Sequence, residues 1–206
     1  MKLKPADIAK LEQFIEKLKD DVYPEPPSKL HTDITARMVK HVLEKTSLPD
    51  SAKVLDVGCG QGVALQHFVA AGLDATGIAL GDADVGACQA KGFNVVEMDQ
   101  SFLDFDDQQF DLIWSRHCLE HSIMPYFTIS EMTRVLKPGG FCYVEIPAPD
   151  TSCNHQSNKN HYSVLGKSMW IDLLSLSGLS VIEALDISFQ VPAGPDMYWS
   201  ILSKKN

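Results

Sequence analysis

The sequence predicts an α/β fold: a doubly wound, mostly parallel sheet with helices on both faces. Three features carry that expectation. From Lys53 onward, short apolar runs alternate with helical patterns across brief links, and such β-α-β alternation closes into a parallel sheet through right-handed crossovers. The first unit turns from strand to helix through three glycines at alternate positions, in Lys53-Val54-Leu55-Asp56-Val57-Gly58-Cys59-Gly60-Gln61-Gly62. The last two apolar runs are joined only by Gln190 to Met197, too short for a crossover helix, so those two strands must pair antiparallel.

Taken in order, the chain opens with a helical pattern from Ala6 to Asp20, where Ile8, Leu11, Ile15 and Leu18 recur at three- and four-residue steps. Tyr23-Pro24-Glu25-Pro26-Pro27 stops it. A second helix spans roughly Thr32 to Lys45, with Ile34, Met38, Val39 and Val42 on one face and Thr32 or Asp33 as its candidate cap. Residues 1–48 thus form a helical appendage, read either as a cover for one sheet face or as a lid over a ligand. Residues 49–206 hold the sheet. Its strands are expected at Lys53–Val57, Ala75–Ala79, Asn94–Met98, Phe110–Ser115 and Phe141–Ile146. The helices between them are Val63–Ala71, Asp82–Lys91 and Pro125 to Leu136, the last with its proline in the first turn and ended by Lys137-Pro138-Gly139-Gly140. A polar stretch from Pro147 to Asn160 cannot build core and forms a long loop at the ligand edge. A helix from Val164 to Ser177 and strands Ser180–Phe189 and Tyr198–Ser203 complete the chain.

With 206 residues, 45% hydrophobic and 22% charged, the chain can bury one sufficient core. A net charge of −9, from 27 acidic and 18 basic residues, argues against a phosphate-backbone footprint, which needs clustered Lys and Arg. Nucleic acid is therefore a disfavoured partner. No apolar run approaches the ~18 residues of a membrane span, and the start shows no secretory pattern, so a cytoplasmic protein without membrane association is expected. Cys59, Cys88, Cys118, Cys142 and Cys153 are odd in number and never form C-x-x-C, which fits reduced thiols with neither disulfides nor a structural metal.

Glycine lets the backbone adopt positive φ and lets a ligand approach the main chain, while the helix start offers unpaired N–H groups. The spacing here is G-x-G-x-G, whereas the dinucleotide fingerprint is G-x-G-x-x-G. With Phe110-Asp111-Leu112-Ile113, Leu119-Glu120-His121, Glu131 and Arg134-Val135-Leu136-Lys137-Pro138-Gly139-Gly140 in the same order and spacing, the chain resembles the Rossmann-like (class I) S-adenosylmethionine (SAM)-dependent methyltransferases from about residue 50 onward. The resemblance implies a seven-stranded sheet of order 3-2-1-4-5-7-6 with strand 7 antiparallel, in agreement with the terminal hairpin. It also implies an enzyme with SAM as cofactor and a small-molecule methyl acceptor.

Carried onto this sequence, the resemblance implies cofactor contacts from Asp56, Gly58, Cys59 and Gly60 at the glycine turn. It places Ala79 and Leu80 at the end of strand 2, Asp99, Gln100 and Ser101 after strand 3, and Ser115, Arg116 and His117 at the end of strand 4. An ion pair with the ammonium of the methionine moiety gives Asp56 a purpose. Phe102 is a candidate cover for the adenine. His117 is the candidate general base, since an unperturbed imidazole titrates near ~6.5, with lining of the pocket as the alternative; His161 is the second catalytic candidate. His121 is expected to pack or bond locally. Tyr23, His31, His155 and Tyr162 are further candidates for acceptor contact. His117-Cys118-Leu119-Glu120-His121 also spells H-x-x-E-H, an inverted zinc-protease motif, but here it leaves a strand directly, and no metal is assigned.

One departure stands out. Ala79 occupies the position where an acid takes the ribose hydroxyls in such folds. Asp82, three residues later, reads as a helix cap, with replacement of the missing acid as its alternative role. Loss of a charged acceptor costs about 1.5–3 kcal/mol, roughly ten- to hundred-fold in affinity. A non-catalytic binding or regulatory protein with weakened cofactor affinity is therefore the second reading, and an NAD-dependent oxidoreductase the third.

Overall fold

The computed structural model describes residues 2–19 and 26–206, so Tyr23 and the end of the first predicted helix, Asp20, lie outside the described residues. One seven-stranded sheet has the order β3-β2-β1-β4-β5-β7-β6. Its strands are β1 (Lys53–Val57), β2 (Asp74–Ala79), β3 (Asn94–Glu97), β4 (Phe110–Arg116), β5 (Leu136–Pro147), β6 (Leu179–Val191) and β7 (Gly194–Lys205). β1 to β5 pair in parallel, while β7 runs antiparallel to both β5 and β6, as the short terminal link requires. The helices are α1 (Pro5–Lys19), α2 (Lys29–Thr46), α3 (Val63–Ala70), α4 (Asp82–Ala90), α5 (Pro125–Val135) and α6 (Lys167–Leu176).

Two apolar cores fill the two faces. On one, α5 and α6 pack Ile129, Met132, Trp170 and Leu174 against Leu55, Ile113 and Val144. On the other, α2 and α3 pack Val39, Val42, Leu65 and Phe68 against Val54, Leu112 and Trp114. Strands covered on both faces read as continuous apolar runs, and full burial of each Leu or Ile contributes about 1.5–3 kcal/mol.

Three details differ from the expectations. Ser28, not Thr32 or Asp33, caps α2, its Oγ accepting from the His31 amide at 3.2 Å; the prolines before it obscure the signal. β5, expected from Phe141, starts already at Leu136, so residues 137–140, which follow the end of α5, belong to it: Leu136 pairs with Phe110, and the ladder is irregular between Phe110 and Leu112. The expected link from Gln190 to Met197 shrinks to Pro192-Ala193, since its other residues already pair across β6 and β7 from Val191↔Gly194 onward.

Candidate cofactor and acceptor site

A cleft of about 310 Å³ opens over the carboxyl ends of β1, β2 and β4, where the strand order reverses and ligands of such sheets bind. Its floor is the glycine turn. The Gly58 and Cys59 amides both donate to the Ile78 carbonyl, at 3.0 and 2.9 Å, pinning the turn to β2. Gly58 has φ +76°, and a Cβ there would lie 2.7 Å from the Cys118 Cβ, so only glycine fits. Gly62, at φ 81°, leads directly into α3.

Asp56, near the end of β1, is 2% exposed and lines the cleft. Its Oδ2 is buried with no hydrogen-bond partner. Burial, then the nearby Cys88 thiol, pushes its carboxyl up to about 8 against the opposing charge of Arg116. A buried acceptor with nothing to accept is costly unless a ligand supplies the donor.

The end of β4 supplies the matching donor. Arg116 Nε lies 2.7 Å from Glu145 Oε1 but out of line for a hydrogen bond, and its Nη2 is buried without a partner. His117 sits at φ 52°; its Nε2 donates to the same Glu145 oxygen at 3.0 Å. Its ring stacks on Tyr198 at 4.1 Å and meets His31 edge-on at 5.2 Å. Burial, then Arg116, lowers the imidazole to about 4 despite the adjacent carboxylate. Burial alone would raise Glu145, but His117, Arg116 and the Tyr143 hydroxyl overcome it and hold the carboxylate at about 2.

At the ends of β2 and β3, Ala79, Leu80, Asp99 and Gln100 all line the cleft. Asp99 Oδ1 accepts from the Ser101 amide at 2.7 Å, and the Gln100 side chain is tied to the Cys118 carbonyl at 3.0 Å. Asp82 is exposed and away from the cleft. Asp84, which the sequence reading overlooked, lines the cleft instead, and its Oδ1 is buried without a partner. Burial raises its pKa, against the Gln61 side chain.

Other expected residues stand behind the cleft wall rather than in it. Ser115 and Ser101 are buried and do not line it; Ser101 Oγ bonds Thr128 Oγ1 at 2.8 Å. Phe102 is exposed beside Phe127, 5.6 Å away, and does not line the cleft. His155 is buried, bonded through Nε2 to Asp196 at 3.0 Å. His161 packs between His155 and His121 at 5.6 and 4.8 Å, and burial, then those two rings, lowers it to about 4. His121, Asn160 and Tyr162 reach the cleft, as do Leu18, Pro26, Pro27, His31 and Thr35 from the N-terminal segment. His121 therefore does more than bond locally.

This sheet order, with a cleft at the strand ends, is that of the Rossmann-like methyltransferase fold. Residues 55–144 match the family model described as a methyltransferase domain, and in sequence and fold the chain resembles the class I, SAM-dependent methyltransferases. It is 33% identical over 142 residues to a ubiquinone biosynthesis O-methyltransferase of Pseudomonas putida, covering 66% of this chain and 60% of the relative. With the sterol 4-C-methyltransferase strm-1 of Caenorhabditis elegans it shares 26% identity over 161 residues, covering 74% of this chain and 48% of that one. The chain thus spans between about half and three-fifths of these relatives' length. A SAM-dependent methyltransferase structure from Archaeoglobus fulgidus shares the fold with a TM-score of 0.69 at 18% identity, over 84% of this chain and 94% of that one.

Proposed function

We propose that this protein methylates a small-molecule acceptor, with SAM held in the cleft over β1, β2 and β4. The observation that carries the proposal is the complementary pair at the cleft: an orphaned buried acceptor, Asp56 Oδ2, and an orphaned buried donor, Arg116 Nη2. Together they suit the ammonium and carboxylate of an amino-acid moiety, and neither atom has a hydrogen-bond partner among the described residues. When bound, SAM supplies a methyl group activated on a sulfonium. The protein's task is then to hold donor and acceptor in line, which accounts for much of the acceleration in such displacements.

Asp99 and Gln100 face the adenine end, and Asp84 takes the ribose hydroxyls in place of the missing acid at Ala79. With a buried carboxylate oxygen already at the cleft, the non-catalytic alternative loses its motive. His117 serves as an anchored neutral wall, because Nε2 is committed to Glu145 and its pKa is far below neutrality; a free base near ~6.5 would suit proton abstraction better. The N-terminal residues serve as a lid in this reading, since Leu18, Pro26, Pro27, His31 and Thr35 line the cleft.

A small acceptor fits a cleft of about 310 Å³ and the net charge of −9, and relatives are named for ubiquinone biosynthesis and sterol methylation. Among the described residues no helix is long and apolar enough to cross a membrane. Calorimetric titration with SAM, S-adenosylhomocysteine and NAD tests the proposal. Saturable heat with the first two and none with NAD is expected; no heat with either SAM-type ligand would sink it.

A further inference from the structure

We propose that Glu120, His121 and His161 form a divalent-metal site in the cleft wall, where the bound ion holds an oxygen of the methyl acceptor. Their ligand atoms lie within 4.8 Å of one another, although His161 is forty residues further along the chain than His121. A carboxylate with two imidazoles is a recurrent donor set for Zn²⁺ and related ions, and three protein ligands leave positions open for a substrate or water.

The surroundings prepare these groups as ligands. His121 Nδ1 lies 2.8 Å from the Asn160 carbonyl, which can only accept. That nitrogen therefore carries the proton, and in the neutral ring Nε2 keeps its lone pair, the arrangement by which backbone partners orient metal-binding histidines. His161 Nδ1 is buried without a hydrogen-bond partner. Glu120 is 2% exposed, an unusual place for a carboxylate unless a cation or donors face it.

The two segments are also braced together. The Ser163 amide donates to the Glu120 carbonyl at 2.9 Å, and Ser163 Oγ to the Ser122 carbonyl at 2.6 Å. His121, Asn160 and Tyr162 carry this wall into the cleft, so an ion there would face the same space as the cofactor. The H-x-x-E-H spelling thus contributes Glu120 and His121 but not His117, which is turned to Glu145.

A neighbouring cluster, Cys153, His155 and Asp196, is the competitor. Its groups already satisfy one another, with His155 Nε2 at 3.0 Å from Asp196 Oδ1 and the Met197 amide on the same oxygen at 2.9 Å.

Metal binding stands on these residues alone, whereas the acceptor role rests on the methyl-transfer reading. The test is titration of tag-free, metal-stripped protein with Zn²⁺, with and without S-adenosylhomocysteine, and a visible absorption spectrum with Co²⁺. One-to-one saturable binding is expected, weakened about ten-fold or more by His161→Asn and Glu120→Gln and unchanged by Cys153→Ser. The Co²⁺ spectrum should lack a thiolate charge-transfer band. Binding of S-adenosylhomocysteine by each variant reports an intact cofactor cleft; should Glu120→Gln not fold, the loop variant His161→Asn carries the test. Absence of saturable metal binding in the wild type overturns the proposal, as does loss of binding in Cys153→Ser. Metal binding without any S-adenosylhomocysteine binding would instead overturn the cofactor reading and the acceptor role, leaving the metal site standing.

Discussion

Glu145 Oε1, at the end of β5, receives the Nε2 proton of His117 from the neighbouring end of β4 at 3.0 Å, and its other oxygen accepts from the Tyr143 hydroxyl at 2.8 Å. With Arg116 alongside, one buried carboxylate organises the wall beneath the cleft. Glu145→Gln would leave Arg116 buried and uncompensated, so a loss of about 3–5 kcal/mol in unfolding free energy is expected. Urea denaturation at neutral pH measures it.

The same pair fixes an acid sensitivity. The folded pKa of His117, about 4, lies below its ordinary 6.5, and that of Glu145, about 2, lies below its ordinary 4.5. In both cases the unfolded chain binds protons first, so their contributions to stability are lost on acidification: that of His117 between about 6.5 and 4, that of Glu145 between about 4.5 and 2. The His117 imidazole resonance should accordingly titrate near 4 in the folded protein. A midpoint near 6.5 by NMR would restore it as a general base.

Asp56 runs the other way. Its folded pKa, about 8, exceeds the ordinary 3.8, so the folded state holds the proton longer and Asp56 lowers stability as pH rises from about 4 to 8, with no further change above. An ammonium arriving beside it demands the ionised form. Binding of S-adenosylhomocysteine at pH 7 should therefore release close to one proton, seen as a dependence of calorimetric heat on buffer ionisation enthalpy and absent in Asp56→Asn.

Asp84, not Asp82, is expected to serve the ribose. Asp84→Asn should weaken SAM binding about ten-fold or more, whereas Asp82→Asn and Ala79→Asp should leave affinity within about two-fold. A marked gain with Ala79→Asp would show that the ribose hydroxyls lack a partner in the natural protein.

Gly58→Ala combines a left-handed backbone with a collision against the Cys118 side chain. A loss of about 2–4 kcal/mol is expected, readable as a lowered melting temperature together with loss of cofactor binding.

Much of this was legible in the sequence because the relevant information is local. Strand and helix alternation is a matter of periodicity, and the residues at strand ends that line a parallel sheet's cleft follow from counting. β1 begins and ends where the apolar pattern places it. What was not legible depends on lateral neighbours. Glu145 matters because β5 lies beside β4, which brings it to Arg116 and His117 across the ladder. Asp84 matters because the rotation of α4 turns it, rather than Asp82, into the cleft. Likewise, nothing in the spacing announces that the loop carrying His161 folds back onto Glu120 and His121. The sequence signal that was available, H-x-x-E-H, pointed to two of the three clustered residues and paired them with the wrong histidine.

The position of β7 has a consequence for biogenesis. β7 lies between β5 and β6, so β6 leaves the ribosome before the strand that seats it in the sheet. Until β7 follows, the nascent chain exposes the bare edges of both β5 and β6, which invite pairing with other chains. β7 also brings Asp196 to His155 and Tyr198 to His117. A translation intermediate arrested before β7 would thus lack both its sheet closure and the backing of its cleft, so ligand capture must follow completion of the hairpin.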